Sequence, residues 1–224
     1  MKHSSIMDLL NKGLYTPAEA AYYGEVSFGS VYRWLYPTKK TRPVIDPELG
    51  IHERVVTFLD FVQLYIVDRA TRRGIRLPKI RKAIDIAEKE GKDHPLARRE
   101  VVAVFDREMH TGDNEQALEQ FTGRSRGQML LPQIARPFLD RIDFNQEGRA
   151  QRFRLHVAYG RSVWMDPRYE FGAPLVGTTA TPFYVLANAA IAEGSVHRAA
   201  MAYSVEEDDI QIALELHRRL ENAA

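Results

Sequence analysis

Cysteine is absent from the 224 residues. This excludes a disulfide framework, a thiol nucleophile, a thiolate zinc site and any thiol-based redox or metal sensor. It also suits a reducing cytoplasm, which is the expected location. Long hydrophobic runs are missing too. Met1 to Asn11 is too short and interrupted for a signal-peptide core, and the weakly apolar stretch Ala180 to Ala192 contains Pro182 and falls short of the roughly 20 residues that span a bilayer. No membrane association is expected. A strong excess of one charge is lacking as well, because the formal net charge is only +1. Overall electrostatics therefore do not announce a nucleic-acid partner.

The distribution of charge is more telling. Residues 1–92 carry 16 basic against 11 acidic side chains, residues 93–160 carry 10 of each, and residues 161–224 carry 5 against 9. Phosphate contact wants positive charge concentrated where the protein meets DNA, which favours the N-terminal part. With 45% hydrophobic and 27% charged residues, the chain has the balance of an ordinary globular protein.

Local signals divide the chain. Thr16, Pro17 and Glu19 form a helix start with the makings of a capping box, and Gly24 is placed to serve the turn that ends this helix. A second helix is predicted from Ser27, with Val31, Trp34 and Leu35 at helical spacing, closed by Pro37. Lys39, Lys40 and Arg42 follow in a basic, non-helical loop. A central core helix is predicted from about Glu53 to Arg73, stopped by Gly74, and an amphipathic helix from Pro78 buries Ile80, Ala83, Ile84 and Ala87 as far as Gly91. Arg69, Arg72, Arg73, Arg76, Lys79, Arg81 and Lys82 gather at that junction, either as a solvated polar face or as phosphate contacts.

From Val101 the period changes. Val101 to Phe105, Gln128 to Leu131 and Arg152 to Ala158 read as strands of a small sheet, with a polar loop at 110–127 and a helix around Pro132 to Arg141 between them. Pro167 to Pro182 shows no regular element, so a boundary is set near Arg161. Helices resume after Pro182 and end in one from about Glu206 to Leu220, with Ile210, Ala213, Leu214 and Leu216 or His217 inward. The fold class is α+β, mainly α. It comprises an N-terminal helix-turn-helix domain at 1–95, a small central sheet at 96–160 that could serve dimerisation, and a C-terminal helical domain at 161–224. A faint repeat aligns Val26, Ser27, Ser30, Val31 and Leu35 with Val205, Glu206, Asp209, Ile210 and Leu214.

A helix-turn-helix needs small residues where its helices touch and a polar outer face on the second helix, which enters the major groove. Ala20 and Ala21 meet the first need. Candidate DNA contacts are Thr16, Ser27, Phe28, Ser30, Tyr32, Arg33, Lys39, Lys40 and Arg42; the alternative is a generic helical pair with a solvated Arg33. In the C-terminal copy Glu206, Glu207, Asp208 and Asp209 fill the first turn of the last helix. Four carboxylates would repel phosphate, although they also suit the positive end of a helix dipole, so this copy is read as a protein-binding or dimer-forming module. Gly172 to Thr179 imitates a phosphate loop but lacks its lysine, and neither a metal-ligand pair nor a nucleophile elbow occurs. No enzyme activity and no cofactor are expected.

Leu14 to Leu35, followed by Gly74-Ile75-Arg76-Leu77-Pro78-Lys79-Ile80-Arg81, resembles the DNA-binding domain of MerR-type regulators. Residues 163–222 resemble the antitoxin-associated domain of unknown function 433, through Asp166-Pro167, Phe171-Gly172-Ala173-Pro174, Gly177-Thr178, Pro182 and Tyr203-Ser204-Val205. That family carries Arg after its Gly-Thr, where Thr179 stands here. Together the segments resemble VapB-like antitoxins. The resemblance implies a homodimer that neutralises a PIN-like ribonuclease toxin and represses its own promoter by binding operator DNA. Arg218 and Arg219 are candidates for meeting the acidic centre of such a nuclease, or else they pair with the C-terminal helix dipole. A stand-alone MerR-like regulator that responds to a small molecule held by the sheet region is the alternative.

Overall fold

The computed structural model describes residue 9 and residues 11–38, 41–101, 140–155, 163–177 and 181–221. Strand β1 (Leu14–Tyr15) leads into α1 (Pro17–Gly24) and α2 (Phe28–Leu35), and pairs antiparallel with β2 (Val56–Thr57). The tiny ribbon carries no sequence signal of its own. It ties the helix-turn-helix to the start of α3 (Phe58–Arg72), which is followed by α4 (Leu77–Lys89).

Helix α3 starts later than Glu53. Thr57 caps it, accepting from the Asp60 backbone N–H while the Asp60 carboxylate bonds back to the Thr57 N–H. Hydrophobic periodicity ran ahead of this cap, because Val56 is buried as a strand residue and not as a helical one. The helix itself is central as expected, with Phe58, Phe61, Val62, Leu64, Tyr65 and Val67 all buried. Helix α4 turns Ile80, Ala83, Ile84 and Ala87 inward, as its apolar spacing requires.

Strands β3 (Ile142–Phe144), β4 (Ala150–Leu155), β5 (Val163–Met165) and β6 (Leu175–Val176) form one antiparallel meander in that order. Its placement corrects the sequence reading in three respects. Val101 is helical and buried, since a short apolar run does not by itself separate strand from helix, and the rest of that predicted strand, 102–105, lies outside the described residues. Half of the strands lie after residue 161, and β4 pairs with β5 across that position, Phe153 opposite Met165 and Leu155 opposite Val163. The stretch 167–182 also contains a strand, β6, too short to show a period. The predicted strand at 128–131, the loop at 110–127 and most of the helix at 132–141 lie outside the described residues.

Helices α5 (Phe183–Glu193), α6 (Val196–Tyr203) and α7 (Glu207–Glu221) complete the described chain. In α7 Ile212 is buried and Leu214 only partly so, a small rotation from the expected inner face. Phe153 on β4 packs edge-on against Phe61 and Tyr65 of α3, with centroids 4.8 and 4.9 Å away. Aromatic contacts of this kind add roughly 0.5–1.5 kcal/mol beyond area burial. One continuous apolar cluster runs from Tyr15 to Leu216, so helix-turn-helix, sheet and C-terminal helices share a core. No helix of the described residues is long and apolar enough to cross a membrane.

Candidate nucleic-acid interface and its acidic counterpart

Thr16 caps α1 in a full capping box: its hydroxyl accepts from the Glu19 N–H at 3.2 Å, and the Glu19 carboxylate accepts from the Thr16 N–H at 2.7 Å. Ala20 and Ala21 are buried at the helix crossing. The turn differs from expectation. Gly24 stays helical, and Glu25 takes the left-handed conformation at φ 53°. A Cβ on Gly24 would come within 3.2 Å of Val26 and 3.4 Å of Phe61, so close packing is what this glycine serves.

Glu25 can hold the strained position because its surroundings fix it. Its carboxylate accepts from Arg69 at 2.8 Å and Arg141 at 3.2 Å, and its carbonyl accepts from Arg72 at 2.8 Å. Burial pushes its pKa up, but the two guanidinium groups outweigh burial and hold it below the ordinary carboxylate value. The arginine cluster of the sequence is thus partly structural. Arg69 and Arg72 also pair with Asp68, while Arg81 donates to the Arg42 and Pro43 carbonyls. Arg76 and Lys82 are exposed.

Helix α2 is capped by Ser27, whose hydroxyl accepts from the Ser30 N–H at 3.2 Å and donates to the Ser30 hydroxyl at 2.8 Å. Arg33 in turn donates to the Ser30 hydroxyl at 3.0 Å. Val31, Trp34 and Leu35 are buried, leaving Ser27, Phe28, Gly29 and Arg33 exposed and Ser30 partly exposed. Phe28 is 53% exposed and leans on Tyr32, which leans on Tyr36, at 4.9 and 5.2 Å between centroids. Tyr32 is therefore half-buried in an aromatic row. Thr16 lies one helix away, occupied in its cap. Arg42 is bound to Asp85 of α4, its guanidinium reaching both carboxylate oxygens at 3.0 and 2.7 Å. Lys39 and Lys40 lie outside the described residues. So Ser27, Ser30 and Arg33 are linked by hydrogen bonds along one flank of α2 and Phe28 stands with Tyr32, while Thr16 is engaged in its cap and Arg42 in an ion pair.

The faint repeat is a repeat of backbone geometry. Helices α1 and α6 each have eight residues and begin after a hydroxyl cap, Thr16 and Ser195. Each ends in a left-handed residue, Glu25 at φ 53° and Ser204 at φ 54°. The N–H of Val26 then donates to Ala21 at 2.9 Å, and that of Val205 to Ala200 at 3.0 Å. At one constant offset, buried Ala20 and Ala21 correspond to buried Ala199 and Ala200, and Val31 to Ile210. What differs is charge. Where α2 begins with Ser27, Phe28 and Gly29, α7 is entered by Glu206, Glu207 and Asp208, all exposed. Asp209 is buried against Gly177, where a Cβ would sit 2.8 Å from both carboxylate oxygens, so it belongs to the packing.

Arg218 is exposed on the last turns of α7. Arg219 is held by Glu215 at 2.5 Å. The two adjacent arginines therefore face different surroundings. Sequence reasoning missed a second arginine cluster. The fully buried Asp166 accepts from Arg152 at 3.0 Å, from the Arg168 side chain at 2.9 and 2.7 Å, and from the Arg168 N–H at 3.1 Å. Arg152 and Arg154 lie over the Trp164 ring. Only the Asp166-Pro167 dipeptide hinted at it, because Arg152 comes from a neighbouring strand, although Arg168 stands two residues on.

No family model matches the chain. A Mycobacterium tuberculosis protein named as a proposed antitoxin, VapB45, is 24% identical, over 72% of this chain and 76% of its own length. Among solved structures, the crystal structure of Rv2018 from Mycobacterium tuberculosis matches with a TM-score of 0.61. That match covers 89% of this chain and 96% of the other at 24% identity, so it speaks for a shared fold.

Proposed function

We propose that this chain is a VapB-like antitoxin that neutralises a PIN-like ribonuclease toxin and represses its own operon. It acts by binding and not by catalysis. The observation that carries the reading is the pair of helix-turn-helix units with one geometry and opposite surfaces. The first presents Ser27, Ser30 and Arg33, with side chains that can reach base edges or phosphates. The second presents Glu206, Glu207 and Asp208, which repel phosphate and suit a protein partner. The likeness to a proposed VapB45 antitoxin supports the same reading. A MerR-type first unit ending near residue 95, a C-terminal unit of the domain of unknown function 433, and assembly as a homodimer form its finer part.

Co-expression with the product of the adjacent reading frame tests it. The two proteins are expected to purify together, growth arrest by the neighbour alone is expected to be relieved, and the promoter is expected to bind with a steep salt dependence. A neighbour that neither arrests growth nor associates sinks the antitoxin reading. A second reading, the ligand-responsive regulator, has one observation in its favour. A cleft of about 330 Å³ lies between the N-terminal unit and the sheet, lined in part by Lys12, Phe58, Asn145, Gln151 and Arg168. Its size suits a small metabolite.

A further inference from the structure

The two helix-turn-helix units share a backbone but not their cover. In the first unit Tyr22, on α1, is half-buried. The constant offset that relates the units takes Tyr22 to Met201 on α6. Met201 is 69% exposed, the most exposed of the large apolar side chains described. With Ala200 and Val205 it lines a groove of about 530 Å³ between α6 and the start of α7. Glu206, Glu207 and Asp208 form the groove's acidic side, and His197 bonds Glu207 at 2.8 Å.

We infer that this groove docks an amphipathic helix of a protein partner, which sets an apolar side chain on Met201 and lysine or arginine side chains against Glu206, Glu207 and Asp208. Two features specify that occupant. Met201 stands 69% exposed at the position where the first unit has the half-buried Tyr22. Three exposed carboxylates beside an apolar floor complement a basic helix and repel nucleic acid. The inference rests on the antitoxin reading, because it takes the toxin as the source of the helix. It assigns the contact to the start of α7, at the opposite end of that helix from Arg218 and Arg219.

Isothermal titration of the full chain with the purified product of the adjacent reading frame tests the assignment. Wild type is compared with Met201→Asp and with the double variant Glu206→Lys, Glu207→Lys, while light scattering and promoter binding are followed. Both variants change exposed side chains, and the double variant keeps the test decisive if Met201→Asp fails to show a normal thermal transition. The expected result is affinity at least tenfold weaker in each folded variant, with mass and promoter affinity unchanged. Undiminished affinity in folded variants overturns the groove assignment and leaves the antitoxin reading standing. Loss of a dimeric mass with unchanged partner affinity shows that a second copy of this chain fills the groove, which also overturns it. A wild-type chain that does not bind the neighbour at all removes the antitoxin reading and this inference together.

Discussion

The Tyr15 hydroxyl donates a buried hydrogen bond of 2.9 Å to the Gly172 carbonyl, across 157 residues of sequence. Gly172 leaves the room for it: its φ is +83°, and a Cβ there would lie 2.1 Å from the Tyr15 oxygen. This bond joins the lead-in strand of the first helix-turn-helix to the loop before β6.

Tyr15→Phe leaves the Gly172 carbonyl buried without its donor, and is expected to cost about 1–3 kcal/mol. Gly172→Ala adds a clash and a strained backbone, so it is expected to cost more than Tyr15→Phe. Urea denaturation checks both. If the shared core makes the units cooperative, each variant lowers the midpoint of a single transition. Separate transitions for the two units would contradict it.

Arg33→Ala removes an exposed cation that hydrogen-bonds Ser30 within the same helix. Promoter affinity is expected to fall by roughly 1–3 kcal/mol if Arg33 reads a base edge, with the thermal midpoint unchanged. Fluorescence anisotropy on a promoter fragment measures the first and a thermal melt the second. Unchanged affinity would remove Arg33 from the interface.

Asp60 gives stability an unusual pH dependence. Burial raises its pKa to about 7, against opposing hydrogen bonds from the Glu48 and Thr57 backbone N–H groups and the Thr57 hydroxyl. Between its ordinary value and about 7 the folded chain holds a proton that the unfolded chain has released. Stability from this group therefore falls as pH rises through that window, by up to about 1.4 kcal/mol per unit. Asp60→Asn is expected to flatten the slope, which denaturation midpoints at pH 5, 6 and 7 would reveal.

Asp166 acts in the opposite sense. Burial raises its pKa, but Arg168 and Arg152 outweigh burial and depress it below the unfolded value. Its contribution is present above the unfolded carboxylate pKa and is lost as pH falls through the folded one. At neutral pH Asp166→Asn is expected to cost about 1–3 kcal/mol, allowing for the partly exposed arginines. The loss should shrink in acid; equal destabilisation at every pH would count against a charge effect.

The sequence by itself determined the helix-turn-helix, the later helices and the repeat. Caps such as Thr16 with Glu19 and Ser27 with Ser30, and spacings such as Ile80, Ala83, Ile84 and Ala87, act between residues a few positions apart. Tertiary structure alone decided the turn at Glu25, the strands after residue 161, and the split of the arginine cluster into structural and exposed members. Glu25 is held by Arg69, Arg72 and Arg141, and Asp166 by Arg152 on another strand. Such partners meet only after the chain folds, so no local pattern encodes them. The same division separates the acidic run: its charge is plain in the sequence, whereas only packing shows Asp209 buried against Gly177 and Glu206, Glu207 and Asp208 turned to solvent beside Met201.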